Sequence, residues 1–486
     1  MTALLTFIVS STIGVMSLQA QQSAAAKKNI VFIIADDHRY DAMGFMKPNA
    51  WAETPNLDRL AREGMHVRNA FVSTALCSPS RASILTGMYA HKHTVVDNTA
   101  PEPEVIEYFP QSLQKANYQT AFFGKWHMGN EGDQPRKGFN HWEGLRGQGE
   151  YYNPTLNING ERIQYKDSTY ITDLITTHAT EWISKRNKDK PFFLYLSHKG
   201  VHASFLPAKR HRGRYKNKPV PLPPSYGLTL NNEYKAHNIP EWVKEQRHSW
   251  HGVDYMYHGE FDFDTFYRQY FETLLSVDES VGTMLDYLKA NGLDKNTLVI
   301  YIGDNGFSFG EHGLIDKRHA YEESMRVPLL IKHPGLIKPG STTDAMVQNI
   351  DLGPTLLDYA GVPISLDVEG KSFLEVLKGN TSKHRDKIFY EYYWEYSFPQ
   401  TPTMFAIRTD QYKYIHYYGL WTQNELYDLR SDPDEMNNLI GDPAFAHISK
   451  QFSTQIFDWL ESTGGMQIPL KRNDRPKGDN KFPKQY

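Results

Sequence analysis

Two short polar clusters, Asp36-Asp37 and Asp304-Asn305, offer three carboxylates and one amide. These are hard oxygen donors with no cysteine or clustered imidazole beside them, a set that suits Ca²⁺ or Mg²⁺ and not Zn²⁺. Either pair alone also reads as a helix cap or a plain loop. Nucleophile and anion chemistry lie elsewhere. Cys77 is the single cysteine of the chain and stands in "LCSPSRASILTG" (Leu76 to Gly87). Pro79 suits a first helical turn, where its missing N–H has no partner anyway. Cys77 then sits just before a helix N-terminus, which favours anions. Arg81 adds a fixed charge and a planar donor fork. Lys125, His127, His202 and Lys317 can surround the same point. Together they make a pocket for a tetrahedral oxyanion with a metal ion behind it. Cys77 also reads as a small buried hydrophobe or a thiolate nucleophile. Its polar neighbours weigh against the first, and an oxygen-ligated metal beside a thiol against the second.

The elements that must position these residues are visible as apolar runs that end abruptly in polar clusters. "NIVFIIADDH", "YQTAFFGKWH", "PFFLYLSHKGVH" and "TLVIYIGDNG" are rich in β-branched or aromatic residues and lack alternation. That is how strands buried on both faces read. Helical patterns lie between them, such as "TPNLDRLAREGM" and "YFETLLSVDESVGTMLDYLKANG", the latter stopped by Asn291-Gly292. Strand–helix alternation predicts an α/β fold with a large, mostly parallel sheet flanked by helices. The polar clusters sit at the C-terminal strand ends, where ligands bind in such sheets. After about Lys383, "KIFYEYYWEYSF", "MFAIRTDQYKYIHYY" and "ELYDLRSDP" alternate like antiparallel strands. The expected division is a leader at 1–22, a catalytic domain at 23–382 and a smaller C-terminal α+β subdomain with an antiparallel sheet at 383–486. The tail "KRNDRPKGDNKFPKQY" reads as an extended wrap or loose end.

With 486 residues, 40% of them hydrophobic, the chain can bury a large core. A net charge of −3 gives no basic face for nucleic acid. The apolar stretch Ala3 to Met16 is too short for a membrane span and fits an export signal, although no Lys or Arg precedes it. One cysteine excludes an internal disulfide. Export to a bacterial periplasm or beyond, without stable membrane insertion, is the expected location.

Cys77-Ser78-Pro79-Ser80-Arg81, continued by Ala82 to Gly87, resembles the formylglycine motif of type I sulfatases. "ADDHR", "TPNLDRLAREG", "FFGKWHMG", "GDNGFSFGEHG", "DKRHAYEESMRVP" and "ELYDLRSDPDEMNNL" resemble further segments of that family, in its order. The resemblance implies an alkaline phosphatase-like fold and oxidation of Cys77 to formylglycine by a separate generating enzyme. It implies Ca²⁺, with Mg²⁺ as the alternative, held by Asp36, Asp37, Asp304 and Asn305 with residue 77 facing it. The hydrated aldehyde is then the nucleophile, with Asp304 as its proton acceptor. Arg81, Lys125 and Lys317 hold the sulfate, His202 is the general acid, and His127 takes the proton that releases sulfate. His202 is placed only by its position after the strand Phe192–Leu196, and His198 competes for the role.

The substrate is less legible. "HWEGLRGQGEYYNPTLNINGE" (His141 to Glu161) and "HSWHGVDYMYHGEF" (His248 to Phe261) carry rings that either stack on sugars or pack. "KRHRGRYKNK" (Lys209 to Lys218) is a solvated loop or an attractor of polyanions. These loops resemble those of exported bacterial sulfatases acting on ulvan and carrageenan, so a sulfated algal oligo- or polysaccharide is the expected substrate. N-acetylglucosamine-6-sulfatases and other glycosaminoglycan sulfatases share the "SRASILTG" region. A phosphonate monoester hydrolase or phosphodiesterase of the same superfamily, and a non-catalytic sulfated-glycan binding protein, are the rival classes.

Overall fold

The computed structural model describes residues 28–468 apart from 48, 104–105, 130–131, 366 and 420–422. The expected leader at 1–22 and the tail from Lys471 lie outside the described residues. The four apolar runs form the strands Asn29–Ala35, Gln119–Lys125, Phe192–Ser197 and Thr297–Gly303. They are mutually parallel neighbours in the order Thr297–Gly303, Asn29–Ala35, Phe192–Ser197, Gln119–Lys125. Ile30, Phe32 and Ile34 point into one apolar layer, and Val31 and Ile33 into the other. A strand with no wet face has no polar position to alternate with, which explains the uninterrupted runs.

Six further strands complete a ten-stranded sheet. His141–Leu145 continues the parallel order, and the hairpin Thr155–Ile158/Glu161–Gln164 closes that edge antiparallel. On the other side Leu329–Lys332 runs antiparallel, followed by the short strands Met65–Val67 and Ser341–Thr343. One face is covered by Pro55–Glu63, Ile171–Lys185 and the long helix Phe263–Ala290, whose apolar residues join Val31 and Ile33. The other is covered by Cys77–Thr86, Phe109–Lys115 and Leu352–Ala360. Phe263–Ala290 starts on an Asp262 cap, whose carboxylate accepts the Thr265 N–H at 2.9 Å, and stops at Asn291.

Four antiparallel strands, Lys387–Tyr392, Met404–Thr409, Tyr412–Tyr417 and Glu425–Asp428, form a separate sheet. The helix Ala446–Thr463 packs Ile456, Trp459 and Leu460 against it. Buried charges tie this sheet to the body: Arg408 donates to both Glu322 oxygens at 3.2 Å, and Lys413 reaches the same carboxylate at 3.2 Å. Among the described residues no helix is long and apolar enough to cross a membrane.

Candidate active site

Parallel pairing sets Ala35 opposite Gly303, so Asp36-Asp37 and Asp304-Asn305 leave the sheet side by side. The Asp304 N–H donates to the Ala35 carbonyl at 3.0 Å, and the Asp37 N–H to Asp304 Oδ1 at 3.0 Å. Asp37 turns sharply, with φ 52°. Asp36, Asp37, Cys77 and Asp304 are wholly buried, and each presents a ligand atom within 4.8 Å of the others. Asn305 Nδ2 donates to Asp37 Oδ1 at 2.7 Å, leaving its own Oδ1 buried without a partner. Three carboxylates and an orphan amide oxygen at one point fit a hard divalent cation.

Cys77 is the first residue of the helix Cys77–Thr86, one place further in than the sequence pattern suggests. Its Sγ lies 3.2 Å from Asp36 Oδ1. Arg81, one turn along, donates from Nε to Asp304 Oδ2 at 2.9 Å, and from Nη1 to the Lys125 carbonyl and Ser197 Oγ, both at 2.7 Å. Its buried Nη2 has no hydrogen-bond partner. Lys125 ends its strand with Nζ on the Asp36 carboxylate and on Gln148 Oε1 at 2.6 Å. That strand comes close to its neighbour because Gly124 lacks a side chain; a Cβ there would lie 1.9 Å from the Ser197 carbonyl oxygen. Lys317 donates to both Asp37 oxygens, at 2.5 and 2.6 Å.

Burial raises every carboxyl here, and the nearby charges decide which stay ionised. At Asp36 the raising effect of burial is overcome by the charges of Lys125, Arg81 and Lys317, which hold the group well below the usual carboxylate range. Asp37 is pushed up to about 7 by burial against the pull of Lys317, with Asp36 and Asp304 adding to the rise. Burial and Asp36 raise Asp304 and the Cys77 thiol in the same direction. Burial and the Lys125 charge hold both His127 and His202 well below the ordinary imidazole value.

The structure brings all ten sequence-derived positions (36, 37, 77, 81, 125, 127, 202, 304, 305 and 317) to one strand-end cluster. His202 Nδ1 donates to the Ala203 carbonyl, which leaves Nε2 for proton exchange. His198 does not join the cluster: its Nε2 meets Ser280 Oγ at 3.1 Å, on the long helix. Gln148 and Lys199 were not singled out from sequence, although both line the cleft of about 1010 Å³ on which His202 opens. The signal was there, since Lys199 falls within "SHKGVH" directly after a buried strand. Of the aromatic loops, Arg146 to Asn153 lines the cleft. Trp142 instead stacks on Phe122 with ring centres 4.5 Å apart. The His248 to Phe261 loop packs in part: His251 stacks on Phe398 at 4.7 Å, and its carbonyl accepts the Ile315 N–H at 2.7 Å, which fixes the segment before Lys317, while Tyr255 stays exposed. In the basic run, Arg210 is spent on Asp173 and Glu279, and Arg214 on Glu53.

A family model described as "Sulfatase" matches residues 28–362, and one described as "N-sulphoglucosamine sulphohydrolase, C-terminal" matches residues 310–461. An N-acetylglucosamine-6-O-sulfatase of Bacteroides thetaiotaomicron is 35% identical, over 93% of this chain and 88% of its own length. An ulvan-active sulfatase of Formosa agariphila is 28% identical, over 91% of this chain and 83% of its own. A solved structure of an enzyme in complex with its substrate D-glucosamine-2-N,6-O-disulfate superposes with a TM-score of 0.79 at 33% identity, covering 91% of this chain and 99% of that one.

Proposed function

This chain belongs to the sulfatase family and is a sulfuric ester hydrolase, and on that premise we propose that it removes the 6-O-sulfate from glucosamine residues of a sulfated saccharide. The observation that carries the choice of sugar is the relative 35% identical over nearly the full length of both chains, an N-acetylglucosamine-6-O-sulfatase. The algal reading drawn from the loops becomes the second one. It keeps the support of the ulvan-active relative at 28% identity and loses part of that of the basic run and of the His248 to Phe261 loop, since Arg210 and Arg214 are paired with acidic neighbours and His251 packs on Phe398.

Cys77 is the proposed precursor of formylglycine, made by a separate generating enzyme, and its hydrate supplies the attacking oxygen. Asp36, Asp37, Asp304 and Asn305 would hold Ca²⁺, which supplies positive charge for the sulfate oxygens. The chain's own residues divide the remaining work. Lys125 and Lys317 present ammonium groups, and Arg81 Nη2 is a buried donor without a hydrogen bond, 3.8 Å from Asp36; together they bind and orient the sulfate. His127 is kept neutral by burial and Lys125, so it can accept a proton, and its Nδ1 is unpartnered. His202 lines the cleft and serves as the acid for the leaving oxygen. Its surroundings oppose the imidazolium, so negative charge arriving with the substrate must support that proton.

A panel of defined substrates tests the reading: N-acetylglucosamine 6-sulfate, sulfated ulvan and carrageenan oligosaccharides, and an aryl phosphonate. Turnover favouring the first supports it. Preference for the algal sugars or the phosphonate replaces it with one of the other readings.

A further inference from the structure

Three cations surround the sulfate pocket, and each has an acidic partner: Arg81 on Asp304, Lys125 on Asp36 and Lys317 on Asp37. Lys199 is a fourth cation and differs from them. It is 6% exposed. Its ammonium donates to the Gln148 carbonyl at 3.1 Å and lies 4.8 Å from the centre of the Tyr151 ring. Among the described residues no carboxylate forms an ion pair with it. Burial, with the Lys125 charge behind it, brings this ammonium down to about 8, so it is still charged at neutral pH. Asp36 and Asp37 pull on it only from beyond ion-pair distance, and a buried cation without a paired counter-charge is costly.

Its position indicates what would supply the missing charge. Lys125 and Lys317 do not line the cleft, whereas Lys199 does, together with Gln148, Tyr151 and His202. A group that touches Lys199 therefore belongs to the body of the substrate, beyond the sulfate being cleaved. The carboxylates of the cleft wall do not serve. Asp133 is held by Arg162 through two bonds of 2.8 Å, and Glu150 is exposed. The geometry points to Lys199 as a subsite for a second anionic group on the substrate, either a further sulfate on the same sugar or the carboxylate of a neighbouring one. The choice of sugar rests on the glucosamine reading above; the anion subsite does not.

The test compares kcat/KM within substrate pairs that differ by one negative charge. The pairs are glucosamine 6-sulfate bearing N-sulfate or N-acetyl, a disaccharide whose neighbouring uronate is free or methyl-esterified, and an aryl sulfate with a ring carboxylate or its amide. Wild-type enzyme should favour the anionic member of at least one pair by about tenfold or more, and the pair that responds identifies the source of the charge. In Lys199→Met, which keeps the alkyl stem, that ratio should fall to about one; Lys199→Gln provides a second variant. No preference in any wild-type pair overturns the inference. So does a preference that survives both substitutions, including a uniform loss across each pair, which would confine Lys199 to holding the Gln148 loop. If both glucosamine substrates are inert while the aryl pair is cleaved, the glucosamine reading fails and the aryl pair alone decides the subsite.

Discussion

Replacing His202 by alanine removes one imidazole from the cleft wall and little else. The Tyr151 hydroxyl keeps its bond of 2.7 Å to residue 202, because it donates to the backbone carbonyl. The ring's own bond is local, to Ala203, so the fold should lose only about 1 kcal/mol. The kinetic effect depends on the leaving group. A sugar alkoxide is a poor one, and an acid in that position contributes about 10²–10⁴-fold, or about 2.7–5.4 kcal/mol of barrier. A nitrophenolate leaves without a proton and hardly responds. The ratio of kcat/KM on a sulfated sugar to that on nitrophenyl sulfate should therefore fall by about 10²–10⁴ in His202→Ala. His198→Ala is the control. That ring is wholly buried, pushed down to about 3 by burial and bonded to Ser280, so its loss should cost about 1–3 kcal/mol of stability and leave the ratio alone. Equal losses on both substrates in His202→Ala, or a leaving-group effect in His198→Ala, would refute the assignment of the acid.

Cys77→Ala should melt close to wild type and lose turnover, and peptide mass spectrometry across residues 77–81 of active wild-type enzyme should show an aldehyde in place of the thiol. Retained wild-type activity in Cys77→Ala would remove residue 77 from the mechanism. Metal analysis should find one tightly held Ca²⁺ or Mg²⁺ per chain, less in Asp304→Ala, and chelation should lower the melting temperature, since the cation offsets three clustered carboxylates; stoichiometric zinc contradicts the oxygen-donor argument. Asp351 is wholly buried and accepts from Arg385 Nε at 2.7 Å, Lys371 N–H at 2.8 Å and Gln348 N–H at 3.0 Å. Burial alone would raise its carboxyl, but Arg385 outweighs it and holds the group below the usual range. A depressed carboxyl stabilises the fold above its unfolded value, and that contribution fades as pH drops further. Asp351→Asn should thus cost about 3–5 kcal/mol at pH 7, with the difference from wild type shrinking below about pH 4 in denaturant titrations.

The chemistry was legible in the sequence wherever one strand end determines it. Asp36, Lys125 and Asp304 each end or directly follow a strand buried on both faces, and such strands announce themselves as apolar runs closed by a polar residue. Cys77 and Arg81 lie one helical turn apart, so their spacing places them together. Gln148 escaped because it lies in a loop without periodic trace, and Lys199, although it closely follows a buried strand, because its role appears only through its contact with that loop. The short strands Met65–Val67 and Ser341–Thr343 escaped because three residues carry too little pattern. The rings of His248 to Phe261 look alike whether they meet a sugar or Phe398; only the tertiary contact separates the two.

The central position of Asn29–Ala35 orders events in time. This strand is made early, yet its two neighbours are Phe192–Ser197 and Thr297–Gly303. Until residue 303 has been synthesised the middle of the sheet cannot close, and the wall behind Cys77 does not exist. At about 5–20 residues per second, the stretch from 81 to 303 takes roughly 10–40 s to make. Cys77 ends with no exposed surface. The proposed oxidation therefore belongs to the time before closure, which lasts at least that long and in which residues 77–81 are still an open peptide; a sheet that closes ahead of the oxidation would leave a well-folded but inert protein.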